Sequence, residues 1–549
     1  MAIRQLGFLV LWSVAMPPLS AQSALDRTDP DQFEEQEDEQ DENSGEAPAI
    51  SLPYELDPTT LDYSADSITV GSIVIVGNEA LPDSRFVDII ESFASRTLRP
   101  ADLGGLADAI AKRARDEGYI FATATIPEQD LRLGLLRVNL DEGAIDEIRI
   151  DGATDAAIRR QLEPLRTGKP VTQAEVERRI LLADDISGVR ILDTRFVKEG
   201  EVGVLVVRTR RTRTAASVEI RNNGSEPVGP VRARLEVDFN GLLTSADEVD
   251  LAVGTNPLQP GELQYATGSY NIVIDADGLE LGTHVSYSST DPGAFLTERD
   301  ISGRLWRAGV DLKYPIVRRR GLSVWVLGEF EVTDLQSQRA GTVYRHDRIP
   351  ALRAGIYSRG EFAGGDFRGR LMVSKGLDIL SATQPGDPLA SRSDASIDFT
   401  SLYGWFAWDR PIGGSFSVGL GGRGQVSSDP LLVTEDLGLG GTTFLRGYRF
   451  NERSGDQGIM GFGELRYDWR GAGFWLPRGQ AYLFADGGTV SNLRSGSGGG
   501  SLASAGGGLR LDLTRDLDLD LELAFPLTGA RFDSESEAPL FNLRVEQSF

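Results

Sequence analysis

The sequence predicts a transmembrane β-barrel of about sixteen antiparallel strands, an even number as bacterial barrels require, preceded by two small α+β domains. Three observations predict this fold: an N-terminus that resembles an export signal, helical periodicity that stops before residue 210, and period-two alternation of apolar and polar residues from there onwards. Such alternation gives each strand one apolar and one polar face. In a membrane barrel the apolar face contacts lipid and the polar face lines the lumen.

Residues 1–22 are predicted to form a signal peptide. Arg4 supplies a positive charge ahead of the apolar run 6–16, and small residues follow at Ala21 and Ser23, so that cleavage after either residue fits. The apolar run is well short of the ~20 residues that a membrane-spanning helix needs. The chain is therefore expected to be exported.

Residues 23–67 are predicted to be a mobile segment, because they are rich in Asp and Glu and too polar to bury a core. Two interpretations stay open for this segment: a solvated linker, or a piece of chain that enters the barrel and blocks it. The net charge of the whole chain is −26. A surface this acidic repels phosphate backbones, so no nucleic-acid partner is expected.

Residues 68–143 and 144–209 repeat one pattern. Each copy opens with a short apolar run that ends at a glycine, Gly77 or Gly152, and continues with apolar residues at helical spacing. In the second copy Thr172 lies three residues before a glutamate, which is the spacing of a helix-capping box. Strand-like runs close both copies, so each is predicted to be a β-α-α-β-β domain.

Residues 210–549 are predicted to form the barrel. Five apolar residues between Leu517 and Phe525 alternate with acidic residues, and the terminal Phe549 is in phase with the apolar face of its strand. Aromatic residues that gather near a strand end are interpreted as an interfacial girdle: Tyr403, Trp405, Phe406 and Trp408. A barrel of this width leaves an aqueous channel unless something fills it.

An enzymatic function is not expected. The chain contains no cysteine, which excludes thiolate metal sites, and its two histidines lie far apart in the sequence. His284 falls within a strand pattern and is interpreted as a wall residue. The sequence has no G-x-S-x-G elbow for a nucleophilic serine. No catalytic, cofactor-binding or metal-binding residue is therefore predicted.

The glycine-rich stretch of about residues 428–458 contains Gly-Gly-Thr-Thr-Phe-Leu-Arg-Gly-Tyr, ending at Tyr448, and an aromatic-x-Asp-x-Gly motif begins at Phe484. These two motifs resemble the signature of the outer-membrane assembly-factor superfamily and its two-partner secretion transporters (TpsB, haemolysin and filamentous-haemagglutinin secretion type). The resemblance implies that the stretch folds back into the barrel as a loop with the tip Leu445, Arg446, Gly447 and Tyr448. It also implies that Arg446 pairs with the second motif, which consists of Phe484, Asp486 and Gly488.

The doubled domain adds a separate match. Residues 125–130 with the Glu-Gly pair at 142–143 resemble the first polypeptide-transport-associated (POTRA) domain of these transporters, and residues 179–189 resemble the second. Ser187 replaces the proline of the usual pattern, a departure that affects one turn. The resemblance implies that both domains lie in the periplasm and hold an unfolded client by adding it to a sheet edge. The candidate edge residues are Ile73, Ile75, Val204 and Val206.

The function implied is the transfer of a large exoprotein, a β-helical adhesin, haemolysin or contact toxin, through the outer membrane of a Gram-negative bacterium without a cofactor. Outer-membrane lipid is a further partner. The barrel-assembly machinery is another, during biogenesis, with Phe549 as the assembly signal. The alternative is a general factor that inserts other barrels, but such factors usually carry three or more POTRA domains. A passive diffusion porin would need no periplasmic domains.

Overall fold

The structure, a computed structural model, describes residues 68–129, 134–152, 156–395, 397–471, 478–494, 496, 498–532 and 534–549. The predicted signal peptide and the acidic segment 23–67 lie outside the described residues, as does Asp130 of the first POTRA motif. Among the described residues, no helix is long and apolar enough to cross a membrane.

The first α+β unit has its helices on one side of a three-stranded sheet. The sheet order is β2–β5–β4, with β2 parallel to β5, and a separate ladder joins β1 to β3. Apolar residues at helical spacing, among them Leu103, Leu106 and Ile110, are fully buried against the sheet. The elements are β1 (Ile68–Val70), β2 (Ser72–Val76), α1 (Val87–Phe93), β3 (Arg96–Leu98), α2 (Pro100–Asp116), β4 (Thr123–Thr125) and β5 (Leu135–Asp141).

The second unit repeats this topology, with sheet order β6–β8–β7 and β6 parallel to β8. The predicted capping box is confirmed: the Glu175 N–H donates to Thr172 Oγ1 at 3.3 Å, and the Thr172 N–H donates to the Glu175 carboxylate at 2.8 Å. The elements are β6 (Glu147–Gly152), α3 (Ala156–Leu162), α4 (Gln173–Asp184), β7 (Val189–Glu199) and β8 (Val202–Arg211).

The sheet order corrects one prediction about client binding. Val204 and Val206 lie on β8, which is paired on both sides, and their side chains are buried. This strand has no free edge to which a client could add. Ile73 and Ile75 lie on β2, an edge strand of the first sheet, with their side chains in the core. The free backbone edges of the second sheet belong to β6 and β7.

The two α+β units are packed against each other. The rings of Phe121 and Phe196, one from each unit, stack with centroids 4.1 Å apart. A backbone hydrogen bond from Gln173 N to the carbonyl of Gly118 also joins the units, at 2.8 Å. Gly143, in the connection, has a positive φ of 85°, and a methyl group there would lie 3.0 Å from the Phe121 carbonyl carbon. The connection is therefore tight and specific.

Sixteen antiparallel strands form a closed barrel, which confirms the predicted fold class. The ring closes where β26 pairs with β9, and the short strands β20 and β21 form a separate pair that is not part of this ring. The strands are β9 (Thr214–Arg221), β10 (Arg232–Asn240), β11 (Asp247–Thr255), β12 (Leu263–Val273), β13 (Glu280–Thr290), β14 (Ile301–Arg318), β15 (Leu322–Arg339), β16 (Thr342–Phe362), β17 (Gly365–Gly376), β18 (Thr400–Gly413), β19 (Phe416–Ser427), β20 (Leu437–Leu439), β21 (Arg453–Gly455), β22 (Gln457–Trp469), β23 (Arg478–Ser491), β24 (Gly500–Asp512), β25 (Leu517–Pro526) and β26 (Leu540–Ser548).

The apolar residues of the alternation face outwards, where lipid takes the place of a protein core. Leu251, Ile459 and Leu483 are 48%, 66% and 66% exposed, whereas their sequence neighbours face the lumen. The aromatic girdle interpretation is wrong for Tyr403 and Trp405. These two side chains are out of phase with the exposed Leu402 and Phe406, and Trp405 is buried on the lumen side.

Candidate functional site

The chain between β19 and β22 folds into the barrel lumen. Its two limbs pair through β20 and β21, and a buried cluster fixes the loop to the wall. On the loop side the cluster includes Leu439, Phe444 and Tyr448, and on the wall it includes Met460 and Val490. The apolar residues on the inner wall do not contact lipid, and they pack against this loop. The loop therefore has its own small core.

At the loop tip, Arg446 is 3% exposed and touches three carboxylates from three different strands. Its Nε lies 3.1 Å from Asp486 Oδ2 on β23. Its Nη1 lies 2.5 Å from Glu464 on β22 and 3.4 Å from Glu522 on β25. The guanidinium also sits over the Phe484 ring, with Cζ 3.5 Å from the ring centroid. The structure thus brings together Arg446 and Asp486, the pair that the resemblance implied.

The arrangement differs from a two-bonded fork between one guanidinium and one carboxylate. Here a single cation joins three strands, and each of its carboxylate partners has a further contact. Glu464 also contacts Arg466 at 2.6 Å and Arg510 at 3.2 Å, and Glu522 accepts a hydrogen bond from the Tyr482 hydroxyl at 2.9 Å. Buried charges need such compensation, because an unpaired one is costly away from water.

The neighbours of Arg446 at the tip are also fitted to the wall. Leu445 has a positive φ of 57°, a left-handed conformation that costs a non-glycine residue some energy. The Gly447 N–H donates to Ser504 Oγ at 3.1 Å, and a methyl group on Gly447 would lie 2.8 Å from Ser504 Cβ. The Tyr448 hydroxyl accepts from the Thr528 N–H at 3.1 Å. The tip is therefore held by backbone and side chains alike.

The strand motif forms the wall under this tip. The Asp486 carboxylate accepts from the Arg446 backbone N–H at 3.3 Å and from the Ser504 hydroxyl. A methyl group on Gly488 would lie 2.7 Å from Met460 Cβ and 3.1 Å from the Leu439 side chain of the loop. Glycine at 488 thus leaves the space that the loop occupies.

A second buried acid ties the base of the loop to two neighbouring loops. Asp456 is fully buried and accepts backbone N–H donors from Leu431 and Leu493, each at 2.6 Å. Its carboxylate also receives two contacts of 2.8 Å from Arg392, which lies between β17 and β18. Asp456 lies at the end of the glycine-rich stretch, and this junction joins that end of the loop to its neighbours.

Below the tip the lumen holds an open cavity of about 590 Å³. Charged residues of both signs surround it, with the acidic end formed by Asp512, Asp518 and Asp520. On β10 and β11, beyond β26 and β9 in the ring, Glu236, Asp238 and Asp250 have oxygen atoms within 4.8 Å of one another. Close carboxylates are common in water-filled channels and do not by themselves define a metal site. The charged side chains of this site can bind and position a ligand by electrostatic attraction.

Sequence reasoning missed two partners of Arg446. Glu464 follows the loop on β22 and Glu522 is one of the alternating acidic residues of β25, but the sequence predicts no contact of either with the tip. The alternation along each strand predicts that both side chains face the lumen. Their distance from the loop tip depends on how the barrel closes, which the sequence does not reveal. Phe549, the predicted assembly signal, is 76% exposed, and its backbone N–H donates to the Ala216 carbonyl at 2.8 Å.

Comparisons with known proteins agree with this architecture. The family described as "Haemolysin secretion/activation protein ShlB/FhaC/HecB" matches residues 200–511, and "POTRA domain, ShlB-type" matches residues 68–143. The heme/hemopexin transporter protein HuxB of Haemophilus influenzae (strain 86-028NP) is 22% identical over 424 residues, 73% of each chain. The outer membrane transporter CdiB of Escherichia coli is 24% identical over 467 residues, 80% of this chain and 75% of that relative.

Solved structures show the same fold. CdiB from Escherichia coli matches with a TM-score of 0.73 at 19% identity, covering 96% of this chain and all of that one. BamA from Haemophilus ducreyi lacking POTRA domains 1–3 matches with a TM-score of 0.51 at 15% identity, covering 88% of this chain. The family match covers more than half of the 549 residues. The chain belongs to the haemolysin secretion/activation protein ShlB/FhaC/HecB family and is an outer-membrane transporter of the two-partner secretion type, with its POTRA region in the periplasm.

Proposed function

We propose that this transporter exports one large β-helical exoprotein as an unfolded chain through its own barrel, and that the Arg446 loop holds the lumen closed until the client arrives. The observation that carries the proposal is the position of Arg446, 3% exposed and bound to carboxylates on three strands of the lumen wall. A loop fixed in this way occupies the path that a client must take. Its displacement and return then become part of each transport cycle.

Capture begins in the periplasm. The free backbone edge of β2 can accept an extended client strand, and backbone pairing makes little demand on the client's sequence. On the outer face of the same sheet Val74, Val76 and Leu135 are 41%, 37% and 47% exposed, which offers apolar contacts to an unfolded chain. The edge of β6 serves in the same way in the second unit.

The client is proposed to be an adhesin, haemolysin or contact toxin with a β-helical region. One relative is named a heme/hemopexin transporter protein and another an outer membrane transporter. Folding outside the cell draws the chain forward without ATP, because the folded form does not return. The barrel-assembly machinery inserts this transporter beforehand and reads the terminal Phe549 as its signal.

The test measures secretion of the client encoded beside this gene. The cells carry a deletion of the chromosomal transporter gene and express each variant from a plasmid. We expect Arg446→Ala and Arg446→Lys each to reduce the secreted client at least tenfold, because breaking the buried ion network costs roughly 3–5 kcal/mol and prevents the loop from returning to its place after each transport cycle. Lysine does not replace arginine here, because it lacks the planar set of donors that reaches several carboxylates at once. Arg515→Ala is the matched control, since Arg515 lies exposed in the turn between β24 and β25.

Surface levels of the transporter and of unrelated barrels are measured in the same cells. Full secretion by both Arg446 variants would remove the proposed role of the tip. Normal secretion in the deletion strain, together with depletion of other outer-membrane barrels, would instead indicate the general assembly factor.

A further inference from the structure

The inward loop meets the barrel wall at a second ionic contact, far from the Arg446 tip. Glu435 ends a short helical turn, Val433–Glu435, on the first limb of the loop. Its Oε1 accepts a hydrogen bond of 2.6 Å from Arg353 of β16, and its side chain is 9% exposed. In the ring, β17, β18 and β19 separate this contact from the Glu464 contact on β22. The loop thus forms buried ion pairs with the barrel strands at two separate places, in addition to the Asp456 junction at its base.

The wall side of this second contact is complete without the loop. Arg353 also lies 3.2 Å from Glu329 and 3.2 Å from Glu331, both on the neighbouring strand β15. Glu331 in turn contacts His284 Nε2 at 3.1 Å, and His284 Nδ1 contacts Asp311 at 2.9 Å. If Glu435 moves away, Arg353 keeps two carboxylate partners, and the departing Glu435 can be hydrated in the lumen.

The tip contact has the opposite polarity. There the loop supplies the cation and the wall supplies the carboxylates. If Arg446 moves away, Glu464 keeps Arg466 and Arg510, but Asp486 is left buried with the Ser504 hydroxyl as its remaining side-chain contact among the described residues. A buried carboxylate without a cation is costly. The two ties therefore differ in how much their release disturbs the wall.

We propose that Glu435 is a positioning residue of this transporter: through Arg353 it holds the first limb of the inward loop against the β15–β16 wall, and this tie releases before the Arg446 tie. The loop then swings about its anchored tip, which clears one side of the lumen while the β22–β25 side stays in place. This inference rests on the proposed function for its purpose in transport, but its geometry is testable without a client.

The chain has no cysteine, so a single introduced cysteine reports on one place. Thr434 is 8% exposed beside Glu435, and Leu445 is fully buried at the tip. The purified full-length transporter carrying Thr434→Cys or Leu445→Cys is reacted with a water-soluble maleimide, with and without Glu435→Gln. We expect Glu435→Gln to speed labelling at position 434 at least tenfold and to leave labelling at position 445 unchanged.

Two matched variants give the contact its specificity. Glu329→Gln removes a carboxylate from the same Arg353 without touching the loop, and labelling at position 434 stays slow. Glu435→Asp keeps the charge and restores most of the protection. Heat-modifiable mobility in electrophoresis checks that each barrel is folded.

Unchanged labelling at position 434 in the Glu435→Gln protein would overturn the proposed contact. Equal acceleration at positions 434 and 445 would overturn the order of release, because the loop would then leave as one body. Secretion by the Arg446 variants tests the proposed function alone. The role of Glu435 is tested by the labelling experiment, which needs no client.

Discussion

At the scale of single residues, charge placement rather than side-chain volume organises the lumen. Arg446 is one cation that joins β22, β23 and β25, so its loss affects three strands at once. The glycines near Arg446 leave space for the loop to approach the wall. Gly447 lies so close to β24 that its missing side chain decides whether the tip can reach the wall.

We expect Gly447→Ala to displace the tip, because the added methyl group would lie 2.8 Å from Ser504 Cβ and 2.8 Å from the Pro526 nitrogen. The measurement is secretion of the client, with a loss of at least fivefold expected. Gly463→Ala is the control, since a methyl group there meets the Leu420 side chain at an ordinary 3.5 Å. Equal secretion by both variants would contradict the steric role of Gly447.

The sequence indicated part of this site. Arg446 and Asp486 could be named because two short motifs, each local in sequence, resemble a family signature. Glu435 and Arg353 carry no such motif, and their contact depends on where a long loop meets a curved wall. A local pattern cannot contain that information, since the two residues are brought together by the closure of sixteen strands.

At the scale of elements, lipid makes the barrel strands easy to recognise. The outward face is apolar and most of the lumen face is polar, so period-two alternation predicts the strands and their approximate number. One failed prediction concerns the phase of the alternation, and the other concerns the order of the strands. Tyr403 and Trp405 were grouped with Phe406 by proximity, although they alternate with it and face inwards. Val204 and Val206 were placed at an edge because periodicity does not reveal strand order.

The two POTRA units are expected to move as one element while Phe121 and Phe196 are stacked. Phe121→Ala leaves a cavity and a cost of about 3–5 kcal/mol, which is enough to loosen the packing. Spin labels on Asp108→Cys and Glu201→Cys, both exposed, report the distance between the units. We expect one narrow distance distribution in the parent and a broad one in the variant. An unchanged distribution would show that the backbone contacts suffice.

At the scale of the whole molecule, the second POTRA unit docks on the periplasmic turns of the barrel. Arg318 at the end of β14 binds Asp185 through two nitrogens, with Nε to Oδ2 at 2.7 Å and Nη2 to Oδ1 at 2.5 Å. Arg178 and Arg160 add bonds to backbone carbonyls of the barrel. This orientation could not be predicted from sequence, because it depends on where turns meet in space.

We expect Arg318→Lys to loosen this docking, since lysine cannot form the two-bonded contact with Asp185. Labels on Lys169→Cys and Asp516→Cys, one on each body, measure the distance between them. The distribution should broaden in Arg318→Lys and stay narrow in Arg319→Lys, because Arg319 is exposed in the adjacent turn. A narrow distribution in both variants would assign the docking to the other arginines.

The ring closes between β26 and β9, where Arg544 is paired with Arg221. Contacts this distant in sequence form late, because the loop entropy must be overcome before the pairing is rewarded. The ribosome also makes the closing strand last. A truncated or stalled chain therefore keeps two unpaired strand edges, which are prone to pair with other chains. A complete chain forms a barrel without free strand edges, whereas an incomplete chain exposes two. A periplasmic protease or chaperone can detect this difference.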